Sequence, residues 1–187
     1  MSSTDLRMTL RAHAALFDYP GAELQRHADE LRAWLAGPGL AELLAHVRDS
    51  DLLDLQAEYV DTFDRGRATA LNLFEHVHGD ARERGQAMVD LLEQYRRAGL
   101  ELGSRQLPDY LPAYLQYCSV LDDDAARSAL AEIAHLLAHI TDALQRRESP
   151  WQAAAAALCA LAGEPDWRGL LAEQAREAGA SADMAAR

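Results

Sequence analysis

The chain has 187 residues, 49% of them hydrophobic, with 30 acidic and 18 basic side chains and a formal charge of -12. That size suffices for one substantial core; the acidic excess, spread along the chain, excludes a nonspecific nucleic-acid footprint and favours a basic peptide or protein surface as partner. Cys118 and Cys159 have neither the number nor the spacing of a disulfide scaffold or thiolate metal site, no apolar run reaches the roughly 18 residues of a membrane span, and the amino end lacks a secretory apolar segment, so a soluble, cytoplasmic product is expected. Every basic residue is arginine, which is read as composition bias.

Leu6, Leu10 and Phe17, with Ala14, recur at helical intervals and predict a first helix from about Asp5 to Asp18, ended before Pro20. Leu24, Ala28, Leu31 and Leu35 give a second stripe, interrupted by Gly37, Pro38 and Gly39. Leu40, Leu43, Leu44 and Val47 form a short third helix. Ser50 or Asp51 then caps a longer one carrying Leu52, Leu55, Tyr59 and Phe63. Gly66 breaks the pattern, after which Leu71, Phe74 and Val77 predict a helix reaching Gly79. Asp80 is placed to cap the next, with Met88, Leu91, Leu92 and Tyr95 on its face and Gly99 at its end.

A connection, GLELGSRQLP, leads to Pro108 and Pro112, which restrict where the following helix begins. That helix holds Leu111, Leu115, Cys118 and Leu121. Asp122 to Asp124 read as an exposed cap and first turn, where negative charge meets the positive helix end. Leu130, Ile133, Leu137, Ile140 and Leu144 predict one long helix from about Asp124 to Arg147, Ser149 and Pro150 start another, and the last runs from near Asp166 to about Gly179. With no strand alternation of useful length and no repeat, the expected fold is all-α, an irregular bundle of about eight or nine helices. Residues 1–180 are read as one helical domain and 181–187 as a short flexible tail.

Histidine, paired charge and aromatics concentrate between Tyr59 and Tyr117, so recognition or chemistry is expected to centre there. Glu75, His76, His78 and Asp80 join histidine to carboxylate, but His76 and His78 lie roughly 200° apart around a helix and cannot share a metal as i,i+4 ligands do. Glu75 and His78 can share a face, so metal binding and acid-base work stand as minor readings beside closing the Gly79 turn, bonding to a neighbouring helix, or recognising a partner. Asp61, Asp64, Arg65 and Arg67 around Gly66 are solvated pairs of little energetic weight, a polar network that must be satisfied if another helix covers them, or a ligand contact. Arg82 and Arg84 flank Glu83 at a helix start, but GDARERGQ is not a phosphate loop.

Tyr110, Tyr114 and Tyr117 fall on one helix face at spacings of four and three. They are core residues, or half-exposed anchors for an apolar peptide face whose arginines meet nearby acids. Asp90, Glu93 and Glu101 add negative rim, and Trp34, Trp151 and Trp167 read as core. Neither cysteine has an activating motif, so nucleophilic catalysis is not supported.

At these residues the chain resembles the nitrate reductase molybdenum cofactor assembly chaperones of the NarJ family, within the TorD-like redox-enzyme maturation chaperones. The matching phrases are YVDTFDRGRATALNLFEHVHGDARERGQAMVDLLEQY from Tyr59 and SRQLPDYLPAYLQY from Ser104, with FDYP from Phe17 and LQRRES from Leu144. The resemblance implies a TorD-like fold and a protein that is not an enzyme. It implies a cytoplasmic private chaperone that binds the immature catalytic (alpha) subunit of respiratory nitrate reductase, including its N-terminal segment. On that reading it supports insertion of the molybdenum guanine dinucleotide cofactor before membrane attachment, holds no cofactor stably itself, and meets cofactor-delivery proteins but no nucleic acid.

The client-binding residues on this reading are Tyr59, Phe63, Asp64, Arg67, Glu75, His76, His78, Arg82, Gln86, Asp90, Asp109, Tyr110, Tyr114 and Tyr117, with no catalytic and no metal-binding residue. The alternatives are a maturation chaperone for another molybdenum oxidoreductase, a small helical enzyme acting on a nucleotide or holding a metal, and a helical adaptor with no peptide groove and with buried tyrosines at 110, 114 and 117.

Overall fold

The computed structural model describes residues 3–77, 81–103 and 106–185. Among them are eleven α-helices: α1 (Ser3–Phe17), α2 (Ala22–Leu31), α3 (Leu40–Asp49), α4 (Leu52–Tyr59), α5 (Phe74–Val77), α6 (Ala81–Arg97), α7 (Leu111–Cys118), α8 (Asp123–Glu132), α9 (Ala134–Arg146), α10 (Gln152–Leu161) and α11 (Trp167–Ala185). The fold is all-α, as expected, and no sheet forms among the described residues. Their sole extended pairing is an isolated antiparallel bridge between Asn72 and Tyr110.

The centre is built where apolar stripes meet alanines. Leu136, Leu137, Ile140 and Leu144 of α9 are buried against an α10 whose inward residues include Ala154, Ala155, Leu158 and Cys159; small side chains there let the helix axes approach. α1 packs along α7, with Leu6, Leu10, Leu16 and Phe17 in the same cluster. Trp151, fully buried at the head of α10, donates its indole N–H to Leu16 O at 3.1 Å and meets Tyr59 and Phe63 edge-on at 6.2 and 5.7 Å between ring centroids.

Several helix ends follow from local chemistry. Asp51 caps α4 by accepting from the N–H groups of Leu53 and Asp54, while Ser50 closes α3 instead, its hydroxyl donating to His46 O at 2.6 Å. Asp122 caps α8 through Ala125 N–H at 2.8 Å. Gly99, at φ 76°, ends α6 with Leu100 N–H returning to Tyr95 O at 2.9 Å, a left-handed cap that glycine adopts without steric cost.

Other expectations need correction. The helix through Tyr59 and Phe63 continues as a π-helical turn, Val60–Asp64. Leu71 to Leu73 is not helical: it lies extended against the segment before α7, and α5 begins only at Phe74. The long helix expected from 124 to 147 divides at Ile133, with φ -100° and ψ 4°. Its N–H turns to Leu130 O at 3.2 Å, and Tyr114 Oη donates to Ala129 O at 2.9 Å, the carbonyl a continuous helix would have given to Ile133. The division lets α8 pack on α7 while α9 packs on α10 and α11. α11 continues past Gly179 to Ala185, since one glycine costs about 1 kcal/mol in a helix and alanine-rich neighbours sustain it. The expected cap at Asp80 lies outside the described residues.

Candidate functional site

Backbone pairing across the Asn72–Tyr110 bridge sets the site. Leu111 N–H donates to Leu71 O at 2.8 Å and Leu73 N–H to Asp109 O at 2.9 Å. Asp109 then turns its carboxylate on the start of α5, where Oδ2 accepts from Phe74 N–H at 3.1 Å. Arg84, from α6, brings one guanidinium nitrogen to 3.4 Å from Glu75 Oε1 and 3.6 Å from Asp109 Oδ2. Asp109 is fully buried and Oδ1 has no hydrogen-bond partner among the described residues. Burial holds its carboxyl above the usual carboxylate range, opposed by the Phe74 N–H and by Arg84. Asp109, expected among the client-binding residues, is placed by the structure as a buried clamp on α5.

Held this way, α5 divides three clefts. The first, of ≈ 400 Å³, is lined by Tyr59, Phe63, Asp64, Arg67, Glu75 and Tyr110 among others, so the structure brings these expected residues together. Its aromatic wall is hydrogen-bonded: Tyr59 Oη donates to Phe17 O at 2.7 Å, the Tyr59 and Tyr110 hydroxyls lie 2.8 Å apart, and Tyr110 Oη donates to Asp18 Oδ1 at 3.2 Å. Burial first, and acids nearby, push both phenols above their ordinary value, so they stay protonated.

The rim of this cleft is mixed in charge, and Asp90, Glu93 and Glu101, the acids expected to form a negative rim, do not line it. Arg67 donates to Glu75 O at 2.9 Å, Arg65 reaches Asp61 at 3.5 Å, and Arg147 ties the π-helical turn to the end of α9 through Asp61 Oδ2 at 2.9 Å.

The second cleft, ≈ 440 Å³, takes His76 together with Val77, His135 and His139. His76 Nε2 is 2.8 Å from Ala70 O, which accepts. The third, ≈ 340 Å³, takes Asp90 and Tyr114 with Phe74, Val77, Gln94 and Ile133. Arg82 and Gln86 are exposed on α6, where Gln86 Nε2 donates to Asp90 Oδ1 at 2.8 Å. His78 lies outside the described residues.

The tyrosines do not share one stripe. Tyr110 precedes α7 and belongs to the first cleft. Tyr114 is buried, and Tyr117 is half-buried, 4.9 Å from the Tyr95 ring.

Sequence reasoning missed Ala70, Leu71 and Asn72 as lining residues of the first cleft. The alternation Leu71, Asn72, Leu73 was a two-residue period that signals extended chain. It also missed the i,i+4 pair His135 and His139. Among the described residues no group of three or more His, Cys, Asp or Glu is placed to hold a metal ion, and no helix is long and apolar enough to cross a membrane. Both cysteines are free and buried, and burial pushes the Cys118 thiol up to about 12 and that of Cys159 up to about 11, far from an active nucleophile.

An irregular, sheet-free helical bundle among the described residues is consistent with a TorD-like fold. Comparison with known proteins makes the class specific. The nitrate reductase delta subunit family matches residues 19–157. The chain is 46% identical over 156 residues to the probable nitrate reductase molybdenum cofactor assembly chaperone NarW of Escherichia coli (strain K12), covering 82% of this chain and 68% of that protein. It is 50% identical over 143 residues to NarJ of the same strain, also named a nitrate reductase molybdenum cofactor assembly chaperone, covering 72% and 61%. To the probable NarJ of Bacillus subtilis (strain 168) it is 28% identical over 156 residues, covering 80% and 85%. The chain belongs to the NarJ/NarW family of nitrate reductase molybdenum cofactor assembly chaperones, a family of chaperones and not of enzymes. It spans 61% of the length of the Escherichia coli NarJ it matches.

Proposed function

We propose that the chain is a private chaperone of a respiratory nitrate reductase. It binds the immature alpha subunit in the cytoplasm, including that subunit's N-terminal segment, and keeps it open for insertion of the molybdenum guanine dinucleotide cofactor before membrane attachment. The observation that carries this reading is that the lining residues of the three clefts around α5, from Tyr59 to Arg146, fall within the 19–157 match, in a chain about half identical to named assembly chaperones over the matched residues.

The first cleft suits a short amphipathic client segment. Tyr59, Phe63 and Tyr110 offer an apolar and aromatic wall with hydroxyls at its edge. Asp64 and Glu75 accept from client arginines, while Arg67 limits how much positive charge the rim tolerates. Asp90, Gln86, Arg82 and His76 extend recognition over neighbouring surface, with Asp109 and Tyr114 holding the clefts from behind.

Calorimetry of the full chain against a peptide covering the first few tens of residues of the cognate alpha subunit tests this, at two salt concentrations and beside a scrambled peptide. Specific, salt-weakened binding is expected. Failure of both the peptide and the whole immature subunit to bind overturns the reading.

A further inference from the structure

A separate cleft of ≈ 550 Å³ lies between α1, the turn after α2, α10 and the start of α11, and shares no described lining residue with those around α5. Trp34, Pro38, Pro165 and Trp167 line it with alanines of α10, and so do Thr9 and His13 of α1. We propose that it binds a small neutral molecule combining an aromatic ring system with one N–H or O–H donor, the donor going to His13 Nε2.

The tautomer of His13 fixes that polarity. His13 Nδ1 is 2.8 Å from Thr9 O; a carbonyl only accepts, so Nδ1 carries the hydrogen and Nε2 the lone pair. His13 is 1% exposed where it lines the cleft, and Nε2 is buried without a hydrogen-bond partner among the described residues. An unpaired buried acceptor is costly, and a ligand donor removes that cost. Burial lowers the His13 pKa to about 4, against the Thr9 carbonyl that raises it, so the nitrogen stays an acceptor at neutral pH.

The walls select the remainder of the ligand. No acid is among the described lining residues, and the one guanidinium, Arg168, already donates to Gln145 Oε1 at 2.6 Å and lies 4.3 Å over the Trp167 ring. A charged ligand gains no free partner there and loses its hydration. Two indoles and two prolines suit a flat ring, and the volume falls within the range of small-molecule sites.

Indole and N-methylindole, equal in ring and unequal in donor, decide the matter when titrated into the full chain by calorimetry, with the His13 side-chain nitrogens followed by NMR. Indole should bind and shift the Nε2 resonance, and N-methylindole should bind about tenfold more weakly without that shift. His13→Phe should make the two ligands equal, and Ala156→Leu, which narrows the cleft without touching His13, should weaken both. N-acetyltryptophanamide separates the sources of the ring: if it binds as indole does, a polypeptide side chain occupies the cleft, and if indole alone binds, a free small molecule does. No binding of indole, or equal affinity of the unsubstituted chain for the two indoles, overturns the proposal.

Discussion

The α9–α10 pair and the short turn α5 are held by different means. α9 and α10 lie against each other through buried leucines and alanines, with few polar links. Ahead of α5, Leu71 and Leu73 are anchored in the core, but the single helical turn that follows rests on Asp109 and on the contacts of Arg67, His76 and Arg84. Apolar packing is spread over many atoms and yields only globally, whereas a segment on a few hydrogen bonds opens locally at small cost. The part of the molecule that borders three clefts is thus the part that, on the proposed function, adjusts to a client while the frame stays fixed.

Removing the largest side chain of the frame should have the greatest effect. Trp151→Ala should cost about 3–5 kcal/mol, read as a lower urea midpoint for the whole chain. Next comes pH. His13 titrates at about 4 when folded and near 6.5 when unfolded, so the unfolded chain binds more protons between those values. Its contribution is complete above pH 6.5 and is lost as pH falls toward 4, by up to about 3 kcal/mol; the urea midpoint of His13→Phe should lack that part of the slope.

Asp109→Ala removes the clamp and should cost about 1–3 kcal/mol, concentrated in faster hydrogen exchange at Leu73 and Phe74 with little change on α9. If α9 exchanges equally faster, the two regions are one cooperative unit. Tyr114→Phe leaves Ala129 O without its hydroxyl donor and should cost about 1 kcal/mol, seen in exchange near Ile133. Asp64→Asn should leave stability unchanged and weaken client peptide binding by about 0.5–1 kcal/mol with a flatter salt dependence.

The frame was legible because its signals are local. The apolar periods of residues 6–17 and 134–146 and the caps at Asp51 and Asp122 are contained in a few neighbouring residues. The site was legible in composition but not in arrangement. The break at Ile133 has no proline or glycine to announce it; a hydroxyl from Tyr114 takes the carbonyl it frees. Asp109 reads as a surface acid until Leu73 and Phe74 are seen to lie on it. Both depend on partners far along the chain, which periodicity does not encode.

The π-helical turn at Val60–Asp64 carries a consequence for chain length. A π turn spends more residues than an α turn on the same advance, so losing one residue there restores α geometry with little change in where the ends lie. A one-residue deletion, ruinous in α9 because it rotates every later side chain off its face, is absorbed here between the fixed Tyr59 and the polar loop at Gly66. This is the place where a change of one residue in length should leave the frame intact.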